Sequence, residues 1–180
     1  YIDRLAQAEI SSFKIEGRAK SSYYVSLVTN AYRTAIDDYL KAPDSFHLRP
    51  WLLEEVQKIS HRRYSTGFYF GVPGQYTQNG GYIRSWDIVA FVTGQEGERL
   101  YVKQKNKFSE GEALEILAPG REPYPLVARE MQNEEGEAIV SAPHAEMALA
   151  LPGPEPFPAG SSVRKPSEDR WNRERHTIRE

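Results

Sequence analysis

Ser12-Phe13-Lys14-Ile15-Glu16-Gly17-Arg18-Ala19-Lys20-Ser21 decides how the chain is read. Up to Glu16 the apolar Phe13 and Ile15 alternate with Lys14 and Glu16, the two-residue period of a strand whose faces see different surroundings. Gly17 breaks that run into a turn of charges. From Ser22 onward Tyr24, Leu27, Val28, Ala31, Tyr32, Ala35, Ile36 and Tyr39 recur at steps of three and four, the spacing of an amphipathic helix. Strand, charged turn and helix make a βα unit, and α/β folds gather ligand groups outside the carboxyl end of such a strand.

Lys14, Glu16, Arg18 and Lys20 occupy alternate positions, so those on the strand point to one side. If that side is a barrel interior, Arg18 and Lys20 stand at its mouth, where a guanidinium fork grips a carboxylate or phosphate and an ammonium adds a point charge. Glu16 is then the candidate catalytic acid or base, and Lys14, Arg18 and Lys20 are candidate substrate-binding groups. The alternative is an internal ion network in which Glu16 neutralises Lys14, since buried charges come in pairs.

Outward from this unit, Tyr1 to Glu9 reads as the end of a preceding helix. Lys41 to Leu48 carries the long helix to its exit, and Pro50 opens a short helix through Ile59 with Leu52, Leu53, Val56 and Ile59 on one face. His61, Arg62 and Arg63 follow. Arg62 and Arg63 are candidate contacts for a phosphate backbone or an acidic peptide, or alternatively salt links between two domains. Gly71, Pro73, Gly74, Asn79, Gly80 and Gly81 form a turn-rich linker.

Beyond the linker the period is mostly two. Ile88–Val92, Leu100–Gln104, Leu114–Leu117, Tyr124–Val127, Ala138–Val140 and Met147–Leu151 are strand candidates, separated by turns at Glu96-Gly97, Glu110-Gly111, Pro119-Gly120 and Glu135-Gly136. Short strands at close spacing predict a small closed or nearly closed antiparallel β-barrel. Tyr101, Lys103 and Lys105 share one strand face, with Lys107 and Phe108 in the next turn. Basic residues interleaved with aromatics suit single-stranded nucleic acid, and a solvated lysine face is the alternative. Pro166 to Glu180 is charged and nearly free of aliphatics, the composition of a disordered tail.

Ser12 to Ser21, followed by Tyr23-Tyr24-Val25 and Ala31-Tyr32-Arg33-Thr34-Ala35-Ile36-Asp37, resembles the collagenase-like peptidases of unassigned catalytic type, peptidase family U32. Ala19 stands where methionine is common in that family. The resemblance continues through Ser60-His61-Arg62-Arg63-Tyr64-Ser65-Thr66-Gly67-Phe68 and Lys105-Asn106-Lys107-Phe108-Ser109-Glu110-Gly111-Glu112. It implies an α+β chain: residues 1–45 as the last strand and helix of a TIM-like catalytic barrel, 46–80 as helix and linker, 81–165 as a carboxy-terminal β-barrel resembling domain two of translation elongation factors, and 166–180 as the tail. It further implies a carboxy-terminal portion of a longer enzyme, with the rest of the catalytic domain upstream.

At 180 residues with 39% hydrophobic content, the chain is long enough to bury a core. No apolar run approaches the roughly 20 residues of a membrane helix, and the reading is cytoplasmic. Zero cysteines exclude disulfides, thiolate catalysis and cysteine-held metal within this segment. Relatives that hydroxylate RNA or quinone precursors use a cysteine-bound iron–sulfur cluster, so the resemblance places any such ligands upstream. The net charge of −2 gives no overall footprint for nucleic acid. Two function classes follow: a peptidase whose β-barrel binds protein substrate, or an RNA-hydroxylating enzyme whose β-barrel recognises transfer or ribosomal RNA. Its partners would be the upstream catalytic domain, a peptide or structured RNA, and a second copy in a homo-oligomer.

Overall fold

The computed structural model describes residues 1–74 and 84–167. It combines helices with an antiparallel sheet. The helices are α1 (Ile2–Gln7), α2 (Ser22–Lys41) and α3 (Pro50–Lys58), with a single 3₁₀ turn at Pro43–Ser45. The strands are β1 (Trp86–Glu96), β2 (Arg99–Gln104), β3 (Phe108–Ser109), β4 (Ala113–Leu117), β5 (Tyr124–Val127), β6 (Gln132–Asn133), β7 (Ser141–Ala142), β8 (Ala148–Pro152) and β9 (Ser162–Pro166).

α2 begins where the sequence predicts. Ser21 caps it, its hydroxyl accepting from the Tyr24 amide at 3.2 Å, which satisfies one of the first-turn donors that have no partner inside the helix. Tyr23, Leu27, Val28, Ala31 and Ala35 are buried along one stripe. α3 starts on Pro50, whose missing N–H costs nothing at a first helical position. Its buried face is turned from the expected one: Leu53 is exposed, while the carboxylate of Glu55 is buried beside Leu52.

Seven strands pair in the order β5-β4-β9-β1-β2-β8-β6, every pairing antiparallel, and β3 pairs with β7 separately. The sheet curls as a half-barrel and does not close as expected. Its two ends suit edges: Pro125 in β5 has no N–H to offer a further strand, and β6 is two residues long. Val89, Val102, Phe108, Leu114, Ile116, Leu149, Leu151 and Val163 fill the concave side. The glycines of the four expected turns, Gly97, Gly111, Gly120 and Gly136, all have positive φ.

Strand alternation gives the convex side its contents. Arg164 lies between Ile88 of β1 and Glu115 of β4 in the register, and Leu117 opposes Ser162. That face packs on the helices, with Ile88 and Leu117 against Tyr23, Leu27, Val28 and Ile59. β9 is therefore covered on both sides.

Three other expectations change. Ser11–Glu16 forms no strand, because no described segment lies alongside to take its backbone hydrogen bonds. Ala138–Val140 contributes one isolated bridge, Gln132 to Ala138, and no strand. Phe108 is core rather than turn, wholly buried at the start of β3. Pro166 ends β9, and the Ser167 amide donates to the Ser85 carbonyl at 2.8 Å; the rest of the expected tail, and Asn79, Gly80 and Gly81 of the expected linker, fall outside the described residues.

Candidate functional site

Where α2, α3 and β1 meet, the helices and the sheet are joined by charge. Arg164 is fully buried and each of its five N–H groups has an acceptor. Nη1 and Nη2 donate to the two oxygens of Glu55 at 2.7 and 2.6 Å, Nε and Nη2 donate to Glu115 Oε2 at 3.1 and 2.6 Å, and Nη1 also reaches the Tyr23 hydroxyl at 3.1 Å. Lys58 Nζ lies 3.0 Å from both Glu55 and Glu115. Two cations thus meet two carboxylates, and the Trp86 ring lies 5.0 Å from the guanidinium and 4.6 Å from the ammonium.

Burial works against the charge on Arg164, but the Glu55 hydrogen bonds together with Tyr23 and the carboxylate field outweigh it, so the guanidinium holds its proton more tightly than usual. Desolvation raises the Tyr23 phenol, partly opposed by Arg164. Both shifts fix the protonation states that the network needs at neutral pH.

Two open cavities flank this joint. One, about 480 Å³, is lined by Lys20, Ser21, Tyr24, Ser60, Arg84 and Trp86 among others. The other, about 560 Å³, is lined by Glu54, Gln57, Lys58, His61, Arg63, Tyr64 and Ser85. Adjacent residues serve both: Ser60 with His61, and Arg84 with Ser85. The cavities are therefore neighbouring parts of one seam between helices and sheet.

Aromatic rings line the same seam. Lys20 lies 5.3 Å from the Tyr24 ring centre. His61 stacks on Tyr64 at 4.3 Å, and His61 Nδ1 lies 2.5 Å from the Arg62 carbonyl oxygen, which calls for a proton on that nitrogen. The Tyr64 hydroxyl donates to the Val56 carbonyl. Although the ring is half-exposed, loss of water around the hydroxyl, with Tyr24 and Tyr32 nearby, pushes its pKa up to about 12.

The sequence-predicted residues separate into three groups. Lys14 and Glu16 pair at 3.5 Å on an exposed segment, and Arg18 is exposed beside them. Lys20, Arg62 and Arg63 lie along the seam, with Lys20 and Arg63 lining its two cavities. Tyr101, Lys103, Lys105 and Lys107 are exposed on the far side of β2 and just beyond it, with Val102 and Gln104 turned inward. On that face Lys103 pairs with Glu146 at 2.5 Å, its hydrogen bond holding the Glu146 carboxyl below its usual range, and the Tyr101 hydroxyl is 3.5 Å from Glu96. Sequence reasoning missed Arg84, Trp86, Glu55, Lys58 and Arg164.

With no cysteine, the chain offers no thiolate to an iron–sulfur cluster. Among the described residues no group of three or more His, Asp or Glu side chains is placed to hold a metal ion. Nor, among those residues, is any helix long and apolar enough to cross a membrane.

Comparison with known proteins defines the class. The model of peptidase family U32 matches residues 1–79 and that of the peptidase family U32 C-terminal domain matches residues 84–164; the chain belongs to this family. Over 148 residues it is 31% identical to tRNA hydroxylation protein P1 of Bacillus subtilis, covering 79% of this chain and 35% of that protein. Over 161 residues it is 35% identical to tRNA hydroxylation protein P of Escherichia coli, covering 86% of this chain and 34% of that protein. A third relative, Uncharacterized protease MJ0090 of Methanocaldococcus jannaschii, is 48% identical over 59 residues, covering 33% of this chain and 14% of that protein. The chain spans about a third of the length of the first two. A crystal structure of the C-terminal domain of a Geobacillus thermoleovorans protein described as a U32 peptidase aligns with TM-score 0.42 and 22% identity, covering 44% of this chain and 99% of that one.

Proposed function

We propose that this chain is the RNA-holding part of a protein required for tRNA hydroxylation. The observation that carries the reading is the 35% identity to the Escherichia coli tRNA hydroxylation protein P, which extends over 86% of this chain and so over helices and sheet alike. The basic and aromatic seam supports it physically, because cations that meet phosphates and rings that stack on bases are what an RNA surface needs. On this reading Ser11 to Lys41 is the last βα unit of a TIM-like barrel, and Ser11–Glu16 pairs as a strand when its neighbours are present. Arg18 then stands at the mouth of that barrel beside Glu16. The sheet is a substrate-recognition module like domain two of elongation factors, any iron–sulfur cluster is held by cysteines outside this chain, and the protein works in the cytoplasm.

The test is mass spectrometry of tRNA nucleosides from a strain lacking the gene. Loss of a hydroxylated nucleoside, restored by the intact gene, is expected. An unchanged nucleoside profile would overturn the reading.

A second reading, a peptidase, rests on the 48% identity to the protease-named relative over 59 residues. It requires gelatin hydrolysis by the intact protein with the tRNA profile unchanged.

A further inference from the structure

We propose that an unpaired stretch of RNA runs along the seam between α3 and the start of β1, with its phosphates met by Lys20 and Arg84 on one side and by Arg63 on the other. The inference rests on the RNA reading above and assigns the surface that serves it. The first cavity is lined by Lys20 and Arg84 with no acid, and the second by Lys58 and Arg63 with the single acid Glu54. The whole chain carries 25 acidic and 23 basic residues, so this is local segregation of charge against an acidic background. A polyanion is the ligand such segregation fits.

Two of the seam's cations have acidic partners of their own. Arg84 pairs with Asp87, and Lys58 is committed to Glu55 and Glu115. Arg84 is therefore a charge already held in position rather than a long side chain to be ordered on binding, which lowers the entropy cost of contact. On the β2 face Lys103 is likewise paired, with Glu146, and the Tyr101 hydroxyl lies 3.5 Å from Glu96.

Single-stranded rather than duplex RNA follows from shape and rings. Each cavity, at about 480 and 560 Å³, is in the range that takes a small ligand, about 300–1,000 Å³. Tyr24 and Trp86 line one and the His61–Tyr64 stack lies at the other. A splayed strand can place bases in such recesses, whereas a duplex keeps its bases stacked inside.

Fluorescence anisotropy of a 12-nucleotide single-stranded RNA and of a duplex of the same length, each with the full 180-residue chain at two salt concentrations, tests the proposal. The single strand should bind with the higher affinity. Lys20→Ala with Arg84→Ala should weaken it at least about tenfold and flatten the salt dependence by roughly 1.4 in log–log slope, the value for two phosphate contacts on a single strand. Lys20→Arg with Arg84→Lys should restore most of the affinity, which a loss of folding in the alanine variant would not explain; melting temperatures of all variants check this further. Lys41→Ala with Arg129→Ala, which removes the same charge elsewhere, should change binding less than twofold. Equal binding of the duplex, or a loss seen with Lys103→Ala and Lys105→Ala but not with the seam pair, would overturn the seam while leaving the RNA reading intact. No binding by the unaltered chain, to this RNA or to whole tRNA at the lower salt, would overturn both.

Discussion

Arg164 shows how far apart the causes of one buried charge can lie in a sequence. Its acceptors are Glu115, 49 positions away, and Glu55, 109 positions away. Ser162-Val163-Arg164-Lys165 has no alternation that marks a strand, because in a strand covered on both faces Val163 and Arg164 are equally buried. No local period could have revealed Arg164 or Glu55, whereas Arg63 stands next to Tyr64, and Lys20 three residues before Tyr23, in the sequence itself. Replacing Arg164 by methionine leaves two carboxylates with Lys58 alone and should cost about 3–5 kcal/mol in urea unfolding, the scale of a broken buried pair. Tyr23→Phe removes only one hydrogen bond to a charged donor and should cost about 1.5–3 kcal/mol at pH 7. Its pH dependence has a definite sign. The folded-state pKa of Tyr23 is raised, so its contribution is fully present below the unfolded value near 10 and falls away as pH rises toward the folded value. The stability gap between the unaltered chain and Tyr23→Phe should therefore narrow above pH 10 in urea titrations; a gap that widened there would contradict the burial of this phenol.

At the scale of elements, period and turn chemistry carried most of the sheet. β1, β2, β4, β5 and β8 fall where apolar alternation places strands, and glycine turns separate them. The two-residue strands β3, β6 and β7 are too short to show a period at all. Ser11–Glu16 shows the converse: alternation is present but a strand exists only against a neighbour. Two glycines beyond the turns separate space from conformation. A Cβ on Gly153 would come within 2.8 Å of Leu100 Cβ, where β2 and the segment after β8 approach each other. Gly153→Ala should cost about 1–3 kcal/mol by overpacking. A Cβ on Gly94, beside the irregularity in the β1–β2 register, would meet nothing within 4 Å. Gly94→Ala should be neutral or stabilise by about 0.4–1 kcal/mol through a less flexible unfolded chain. Chemical denaturation of the pair decides the matter, and equal losses at both sites would refute the close approach at Gly153.

For the whole molecule the question is what makes helices and sheet one body. The concave core belongs to the sheet and its connections alone. Among the described residues the helices meet the sheet through the cluster of Tyr23, Leu27, Val28, Ile59 and Leu117, through the ion network around Arg164, and through single hydrogen bonds such as that from the Gly120 amide to Asn30 at 2.7 Å. That network is neutral in sum, so while it is intact no uncompensated charge is buried between the halves. The unaltered chain should melt in one calorimetric transition. Arg164→Met should split it, because buried Glu55 then favours release of α3 into water, where its charge is solvated. Arg164→Met combined with Glu55→Met removes both buried charges and leaves Lys58 paired with Glu115. Apolar replacement of a whole buried pair is often neutral or stabilising, so the double variant should return to a single transition near the original temperature. If the double variant stays split, the directed bonds and not the charge balance hold the halves together, and an apolar contact of the same size cannot stand in for them.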